Sequence, residues 1–240
     1  MFEPKKLSPA ELCLCQNTIS PNTFYMLVGD ALVSGKPLSV VRMGDGERAL
    51  YDYCLGKQLP NIMDADWMQR LGADGIATDE LRYRLIRAAT HCTHFAPSIS
   101  GIQLDSFELY SLFPARARYV DNFFVNAWTE EMKIQLFKTA GHVLFIHRNT
   151  STADAMQIRA KWGLGVKVTY LKLASWRDSE SVIEKAKSID APLVLFSAGP
   201  ASKYIGPEIS TSGLIPRVTL DIGNAADYWT LTSLKDVQRI

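Results

Sequence analysis

Short apolar runs alternate with segments of helical periodicity in the second half of the chain, and this alternation restricts the fold more than any other feature. Four of the runs are typical of buried strands, at 142–147, 166–173, 192–197 and 217–220. Helices are predicted between them, over 152–162, 179–188 and 201–212. Strands separated by helices of this length form a parallel sheet with right-handed crossovers. The pattern therefore predicts an α/β fold, with a Rossmann-like, mostly parallel sheet flanked by helices.

The first half of the chain adds at least one strand to this pattern. The residues predict helices at 22–34, 46–54, 64–71 and 78–91, strands at 38–43 and 94–97, and a mostly helical stretch over 104–138. We expect strand 38–43 in the same or an adjoining sheet. Neither a repeat nor a low-complexity linker divides the sequence. We therefore expect one domain over 1–240, with an N-terminal half (about 1–140) packed on a Rossmann-like C-terminal half (about 141–240).

The composition argues against several classes of protein. Twenty-six basic and 25 acidic residues leave a net charge of +1, so charge gives no support to a nucleic-acid partner or acceptor. The four cysteines, at 13, 15, 54 and 92, have irregular spacing, which indicates reduced thiols rather than a zinc ribbon or a disulfide framework. The N-terminus does not resemble a signal peptide, and no apolar run approaches the roughly 18 residues of a membrane span. We expect a cytoplasmic protein, with peripheral membrane contact left open.

Two acidic residues follow strand 38–43 directly, in the sequence Gly44-Asp45-Gly46-Glu47. Open α/β sheets bind ligands at the carboxyl ends of their strands. Mg²⁺ and Mn²⁺ prefer carboxylate oxygens and are often shared with substrate phosphates, and glycine lets a backbone approach a ligand closely or adopt positive φ. Asp45 and Glu47 are therefore candidate metal ligands. An acidic turn that caps the next helix explains the pattern equally well.

Polar residues also occur at three other positions beside predicted strands. Arg42 could pair with the two acids or bind a phosphate. The turn after strand 192–197 opens a helix whose N-terminus favours anions, and its candidate ligands are Ser197, Gly199, Pro200, Ser202 and Lys203. A tight turn with proline at the first helical position is the structural alternative. Asp221 and Asn224 follow strand 217–220 and would lie beside this turn if the two strands are neighbours; a helix cap is the alternative.

The remaining candidates are weaker. His147 could act as an acid or base and Arg148 could hold a phosphate, although a solvated loop is the more common outcome for such residues. His91, Cys92 and His94 lack the second ligand pair of a zinc site. The segment 121–128 combines amides and aromatic rings that could contact a sugar, but packing in the core is the favoured interpretation.

Three of these motifs, in order, resemble the bacterial glycosyltransferases of the GT-D fold, formerly a domain of unknown function. The segments are Ser39-Val-Val-Arg-Met-Gly-Asp-Gly-Glu47, Leu195-Phe-Ser-Ala-Gly-Pro-Ala-Ser202 and Leu220-Asp-Ile-Gly-Asn224. That family carries an Asp-x-Glu motif within Arg-[Phe/Met]-Gly-Asp-Gly-Glu, a Gly-Pro-[Thr/Ser]-Ala turn and an Asp-Ile-Gly-His segment. The chain departs from it at Asn224, where the family has histidine, and at Ala201-Ser202, where the order of residues differs.

The resemblance implies a transferase that uses a nucleotide-sugar donor, commonly a UDP-sugar, with Mn²⁺ or Mg²⁺. Asp45 and Glu47 would bind the metal and the diphosphate, and the Gly199-Pro200 turn would line the donor pocket. The acceptor would be a glycan, a glycoconjugate or another hydroxyl. Asp221 and His147 are the candidates for a catalytic base. The residues alone leave two alternatives open: another Rossmann-type transferase, such as a methyltransferase that uses S-adenosylmethionine, and a binding module without turnover.

Overall fold

The computed structural model describes residues 16–57, 68–69, 71–73, 75–97, 118–122, 124–148 and 166–223. In these ranges it contains eight strands: β1 (Thr18–Ile19), β2 (Leu38–Met43), β3 (His94–Pro97), β4 (Arg118–Val120), β5 (His142–His147), β6 (Lys167–Lys172), β7 (Leu193–Ser197) and β8 (Val218–Asp221). The described α-helices are α1 (Pro21–Ser34), α2 (Asp45–Cys54), α3 (Thr78–His91), α4 (Phe124–Ala127), α5 (Glu130–Ala140), α6 (Ser179–Lys187) and α7 (Pro200–Ser210).

All eight strands belong to one parallel sheet, in the order β1-β4-β3-β2-β8-β7-β5-β6. The prediction of an α/β fold with a parallel sheet is confirmed. Strand β2 pairs with β3 on one side and with β8 on the other, so the strand from the first half lies beside the last strand of the second half. Because all strands are parallel, their carboxyl ends lie along one edge of the sheet.

The helices cover both faces of the sheet, as a buried parallel sheet requires. Val41 and Met43 of β2 pack into a core with α2, α3, α6 and α7. Leu38 and Val40 of the same strand point to the opposite face and pack with α1, α4 and α5. This alternation follows from the two-residue period of a strand. The apolar runs in the sequence are continuous because both faces of each central strand are covered.

Local sequence signals account for several helix ends. At the start of α1, the Ser20 hydroxyl accepts a hydrogen bond from the Thr23 amide at 3.1 Å, and Pro21 occupies the first helical position. The helix ends at Gly35, which adopts φ +62°, a left-handed conformation that favours glycine. Thr129 caps α5 in the same way, by accepting from the Met132 amide at 3.3 Å.

The end of the sheet that carries the strands' amino termini is held by a buried arginine. Arg217 precedes β8, is fully buried, and donates to six backbone carbonyls, of residues 186, 187, 189, 209, 212 and 215. These carbonyls lie at and beyond the ends of α6 and α7, where helices leave acceptors unsatisfied. Arg217 therefore joins two helix ends to β8 through hydrogen bonds to backbone carbonyls.

Most predicted elements lie within two residues of their predicted ends. The stretch 104–138, expected to be mostly helical, contains α4 and most of α5, and α5 is capped at the predicted start, Thr129. The stretch also contains strand β4, and neither β4 nor β1 was predicted. Both strands are too short to show a period of their own. The predicted helix at 152–162, most of the helix at 64–71 and the predicted start at Asp105 lie outside the described residues.

Two further sequence expectations concern thiols and membranes. Cys54 and Cys92 are free thiols, and burial raises the pKa of Cys54 to about 11 and that of Cys92 to about 12. Cys13 and Cys15 lie outside the described residues. None of the described helices has the length and apolarity needed to cross a membrane.

Candidate active site at the carboxyl edge of the sheet

Strands β2 and β8 bring candidate residues from the two halves of the chain into contact. The register places Val40 opposite Leu220, so Arg42 and Asp221 extend from neighbouring strands at the same edge of the sheet. The backbone amide of Arg42 donates to Oδ2 of Asp221 at 3.1 Å. Strands β7 and β8 are neighbours, which was the condition for Asp221 to lie beside the turn, since Phe196 lies opposite Asp221. Asp221 therefore lies between the Arg42 strand and the turn that begins α7.

A buried ion network connects this edge to α2 and α7. The Lys203 ammonium on α7 contacts Oδ2 of Asp221, and its Nζ lies 3.4 Å from Oε1 of Glu47 on α2. The exposed fractions of these residues are 4% for Lys203, 2% for Asp221 and 9% for Glu47. Oδ1 of Asp221 has no hydrogen-bond partner within the described part of the chain. Paired charges of this kind lie far enough from water to interact strongly.

Glu47 has a second contact, at the start of its own helix. Its Oε2 accepts a hydrogen bond from the Gly44 amide at 2.9 Å, which forms the side-chain half of a capping box. The acidic turn therefore does cap the next helix, as the structural interpretation of the motif predicts. It does not exclude a functional role, because Oε1 of the same carboxylate faces Lys203. Gly44 has φ −103°, and Gly46 is not among the positive-φ glycines, so this turn does not need glycine for its conformation.

The guanidinium group of Arg42 is oriented by residues that the sequence did not connect to it. Its Nε donates to Oδ1 of Asn122 at 2.6 Å. A methyl group at Gly223, which has φ +51°, would approach a terminal nitrogen of Arg42 to 2.6 Å. Asn122 lies in the segment 121–128, which was considered for sugar contact or core packing, because β4, the strand that positions it, was not recognised. Had β4 been recognised, a polar residue just after a strand would have marked Asn122 as a candidate.

The two terminal nitrogens of Arg42 are the part of the guanidinium that remains for a ligand. Among the described residues they make no hydrogen bond, and the side chain is half-buried. A guanidinium group held at Nε keeps these two donors in a fixed plane, which suits a phosphate or carboxylate.

The turn between β7 and α7 has a backbone conformation that only glycine adopts readily. Gly199 has φ +61° and ψ −152°, and it is exposed. The Ser202 hydroxyl turns back and donates to the Gly199 carbonyl at 2.6 Å, and Ser202 is buried. Pro200 is buried at the first helical position, and Ser197 at the end of β7 is half-buried. The turn thus presents its glycine to solvent, whereas the Ser202 hydroxyl is used within the turn.

His147 and Arg148 lie farther along the same edge. His147 ends β5, opposite Ser197 on β7, and its ring stacks on Phe145 at 5.6 Å. Because β7 separates β5 from β8, His147 is two strands from Asp221, a spacing of about 10 Å. A terminal nitrogen of Arg148 donates to the Gln69 carbonyl at 2.6 Å. The hydrogen bonds and ion pairs described for Glu47, Lys203 and Asp221 do not include either residue.

Several predicted residues either fall outside the described structure or have another role. The backbone of Asp45 begins α2, but its side chain is not described, and Asn224 lies outside the described residues. Trp128, in the segment considered for sugar binding, is buried against Phe24 and Phe124, and its indole N–H donates to the Pro21 carbonyl at 3.0 Å. The favoured interpretation of that ring as core packing is confirmed.

The α/β arrangement with one parallel sheet is consistent with a comparison against known families. Residues 19–229 match the family described as the GT-D fold-like domain. Because the match covers more than half of the chain, the protein belongs to this family, and its fold is related to that of glycosyltransferases. No curated protein and no solved structure gives a significant match.

Proposed function

We propose that this protein is a glycosyltransferase that moves a sugar from a nucleotide-sugar donor, a UDP-sugar in the first instance, to a hydroxyl of a glycan or glycoconjugate. The observation that supports it best is the site at the carboxyl edge of the sheet, in a chain of the GT-D fold-like family. There, Arg42 of β2 lies next to Asp221 of β8, and the buried Lys203 lies at the start of α7. Cationic groups and a helix N-terminus at one strand edge suit a diphosphate.

Each part of the site has a defined task in this proposal. The terminal nitrogens of Arg42, held in place through Asn122, bind donor phosphate oxygens. The exposed backbone at Gly199 lets the donor approach the N-terminus of α7, where partial positive charge favours the departing diphosphate. His147 and Asp221 are the candidates for a base toward the acceptor hydroxyl, and Asp221 can take this role only if its carboxylate does not hold the metal.

A divalent ion fits the chemistry of the donor set. Glu47 and Asp221 offer carboxylate oxygens, which Mn²⁺ and Mg²⁺ prefer, and the orphaned Oδ1 of Asp221 would gain a partner. The described residues alone contain no group of three acidic, histidine or cysteine side chains that could hold an ion. We propose that Asp45 and Glu47 hold the metal together with donor phosphates, and that Asp221 contributes a carboxylate oxygen beside Glu47. When bound, the metal would neutralise charge on the leaving diphosphate.

The test is a thermal-shift screen of the full chain against UDP-sugars and other nucleotide sugars, with and without Mn²⁺. A donor near 100 times its dissociation constant should raise the melting temperature by about 5 °C. Asp45→Ala should lose the part of the shift that depends on Mn²⁺. Asp30→Ala is the matched control, because Asp30 is exposed on α1, on the other face of the sheet, and its removal should leave the shift unchanged.

The alternatives predict other results in the same screen. Stabilisation by S-adenosylmethionine, with none by any nucleotide sugar, would refute the proposal and favour a methyltransferase. Stabilisation by a nucleotide sugar without any donor hydrolysis or transfer would indicate a binding module. Slow release of free sugar from the donor in the absence of an acceptor is the result expected of a glycosyltransferase.

A further inference from the structure

The ammonium group of Lys203 lies between two carboxylates that come from different elements of the fold. It contacts Oδ2 of Asp221 on β8, and its Nζ is 3.4 Å from Oε1 of Glu47 on α2. All three side chains are buried. Among the described ion pairs, one unit of positive charge therefore serves both negative groups, in surroundings from which most water is excluded. This is the place and the charge environment that a bound cation would need.

The other oxygens of the two carboxylates differ in how well they are satisfied. Oε2 of Glu47 accepts from the Gly44 amide, and Oδ2 of Asp221 accepts from the Arg42 amide as well as from Lys203. Oδ1 of Asp221 is buried and has no donor among the described residues. A buried carboxylate oxygen without a partner is unfavourable. The pair therefore has capacity for more positive charge than one ammonium supplies.

Arg42 does not compensate for this deficit with a direct ion pair. Within the described ranges, its side chain bonds to Asn122 rather than to either carboxylate, and only its backbone amide reaches Asp221. A divalent ion would supply the missing charge, but it would meet the Lys203 ammonium at the same two carboxylates. Two cations so close together repel each other strongly in a buried site.

We propose that Lys203 competes with a divalent cation for Glu47 and Asp221. The ammonium group occupies the carboxylate pair while no donor is bound, and a divalent ion binds there only when Lys203 moves away. The displaced ammonium then has a new partner in the donor diphosphate. This deepens the proposed function, and it rests on that function for assigning the pair to the donor site. Binding of Mn²⁺ and of a nucleoside diphosphate should consequently strengthen each other.

The competition is tested by titrating the full chain with Mn²⁺ alone and measuring free Mn²⁺ by electron paramagnetic resonance. Lys203→Met removes the charge, and Lys203→Gln removes it while keeping an N–H donor for the carboxylates, which protects the fold. Circular dichroism establishes that each variant is folded. Both variants should bind Mn²⁺ at least about tenfold more tightly than the natural protein, because a unit positive charge has been removed from the site.

Two further variants show where the gain arises. Lys138→Gln changes the net charge equally, but Lys138 is exposed on α5, on the opposite face of the sheet, so it should not alter Mn²⁺ affinity. Adding Asp221→Asn to Lys203→Gln should abolish the gain. With UDP present, Mn²⁺ affinity should rise in the natural protein and rise less in Lys203→Gln.

Equal Mn²⁺ affinity in the natural protein and in the folded Lys203 variants would overturn the proposal. A gain that survives Asp221→Asn, or that Lys138→Gln reproduces, would do the same. None of these readings involves sugar transfer. If the protein binds no nucleotide sugar but Lys203→Gln binds Mn²⁺ more tightly, the proposed function is refuted and the competition is supported. If the protein binds a nucleotide sugar but Lys203→Gln has unchanged Mn²⁺ affinity, the competition is refuted and the proposed function is supported.

Discussion

At the scale of single residues, the position of Arg42 depends on neighbours far away in the sequence. Its Nε is bonded to Asn122 after β4, and its terminal nitrogens lie against Gly223 after β8. A side chain fixed at two points loses little conformational freedom on binding a ligand. We therefore expect the orientation of Arg42 to matter as much as its charge.

Gly223→Ala should disturb that orientation. The new methyl group would lie 2.6 Å from a terminal nitrogen of Arg42 at the present geometry, so the guanidinium group must move. The backbone at φ +51° adds a cost of about 1–2 kcal/mol for a residue with a Cβ atom. We expect lower stability in urea unfolding and loss of most of the thermal shift from a nucleotide sugar.

Gly35→Ala is the matched control for this change. Gly35 has φ +62°, and a Cβ atom there would meet nothing within 4 Å. It should lose about the same 1–2 kcal/mol of stability but keep the ligand-induced shift. If both variants keep the full shift, the orientation of Arg42 does not contribute to donor binding.

At the scale of elements, one side chain of helix α2 both caps the helix and belongs to the proposed metal site. Glu47 caps the helix with Oε2 and faces Lys203 with Oε1. The two roles can be separated because capping requires an acceptor oxygen, whereas the ion pair and any metal contact require charge.

Glu47→Gln and Glu47→Ala should therefore differ in stability but lose metal-dependent donor binding to the same extent. Glutamine keeps an oxygen for the Gly44 amide, whereas alanine loses the cap and leaves the Lys203 charge with one partner fewer. We expect alanine to be less stable than glutamine by about 1 kcal/mol in urea unfolding. Both should lose metal-dependent donor binding. Glutamine with unchanged donor binding and turnover would show that Glu47 serves only as a helix cap.

At the scale of the whole molecule, the two ends of the parallel sheet differ in character. The carboxyl edge carries the ion network, whereas the opposite end carries Arg217 and His94, which are both buried. His94 begins β3, where its ring packs on Phe24 at 5.1 Å and its Nδ1 lies 2.9 Å from Oγ1 of Thr93. Burial, and then the charge of Arg118, lower the pKa of His94 from 6.5 to about 4.

This shift predicts an acid sensitivity of the whole fold. A lowered pKa means that the folded protein binds the proton less readily than the unfolded chain. The contribution to stability is therefore complete above pH 6.5 and is lost as the pH falls toward about 4. His94 should account for a loss of about 2 kcal/mol in unfolding free energy between pH 7 and pH 5.

His94→Phe provides the comparison, because it keeps an aromatic ring against Phe24 but cannot be protonated. Urea unfolding at pH 7 and at pH 5 should show a smaller loss in this variant than in the natural protein. The same loss in both proteins would assign the acid sensitivity to other groups.

Much of the fold could be predicted from residues near one another in sequence. The run 142–147 was predicted as a strand with the bounds that β5 has, and helix 78–91 was likewise predicted with the bounds of α3. Both are long enough for a period to be counted, and both are buried on the expected faces. Strand β4 has three residues, and its pairing with β3 rather than its composition makes it a strand. The contact between Asn122 and Arg42 was not predicted for the same reason.

The candidate site was predictable in its residue types but not in its pairings. Asp221, Glu47 and Lys203 were each singled out as polar groups near strand ends. Lys203 was expected to bind an anionic ligand, but in the structure it contacts two carboxylates of the protein. Which charges pair depends on the order of strands in the sheet, and β8 lies beside β2 although 174 residues separate their ends.

The sequence by itself determined the α/β class, the buried strands and the family, because these depend on local periodicity and on short motifs that recur in order. The tertiary structure alone decided that one ammonium stands between Glu47 and Asp221, and that Asn122 holds Arg42. Such contacts depend on strand order and helix placement, which are set by the burial of two apolar layers over the whole chain. The strength of an interaction between two charges depends on the distance between them, and a local sequence pattern does not encode distances between residues far apart in the chain.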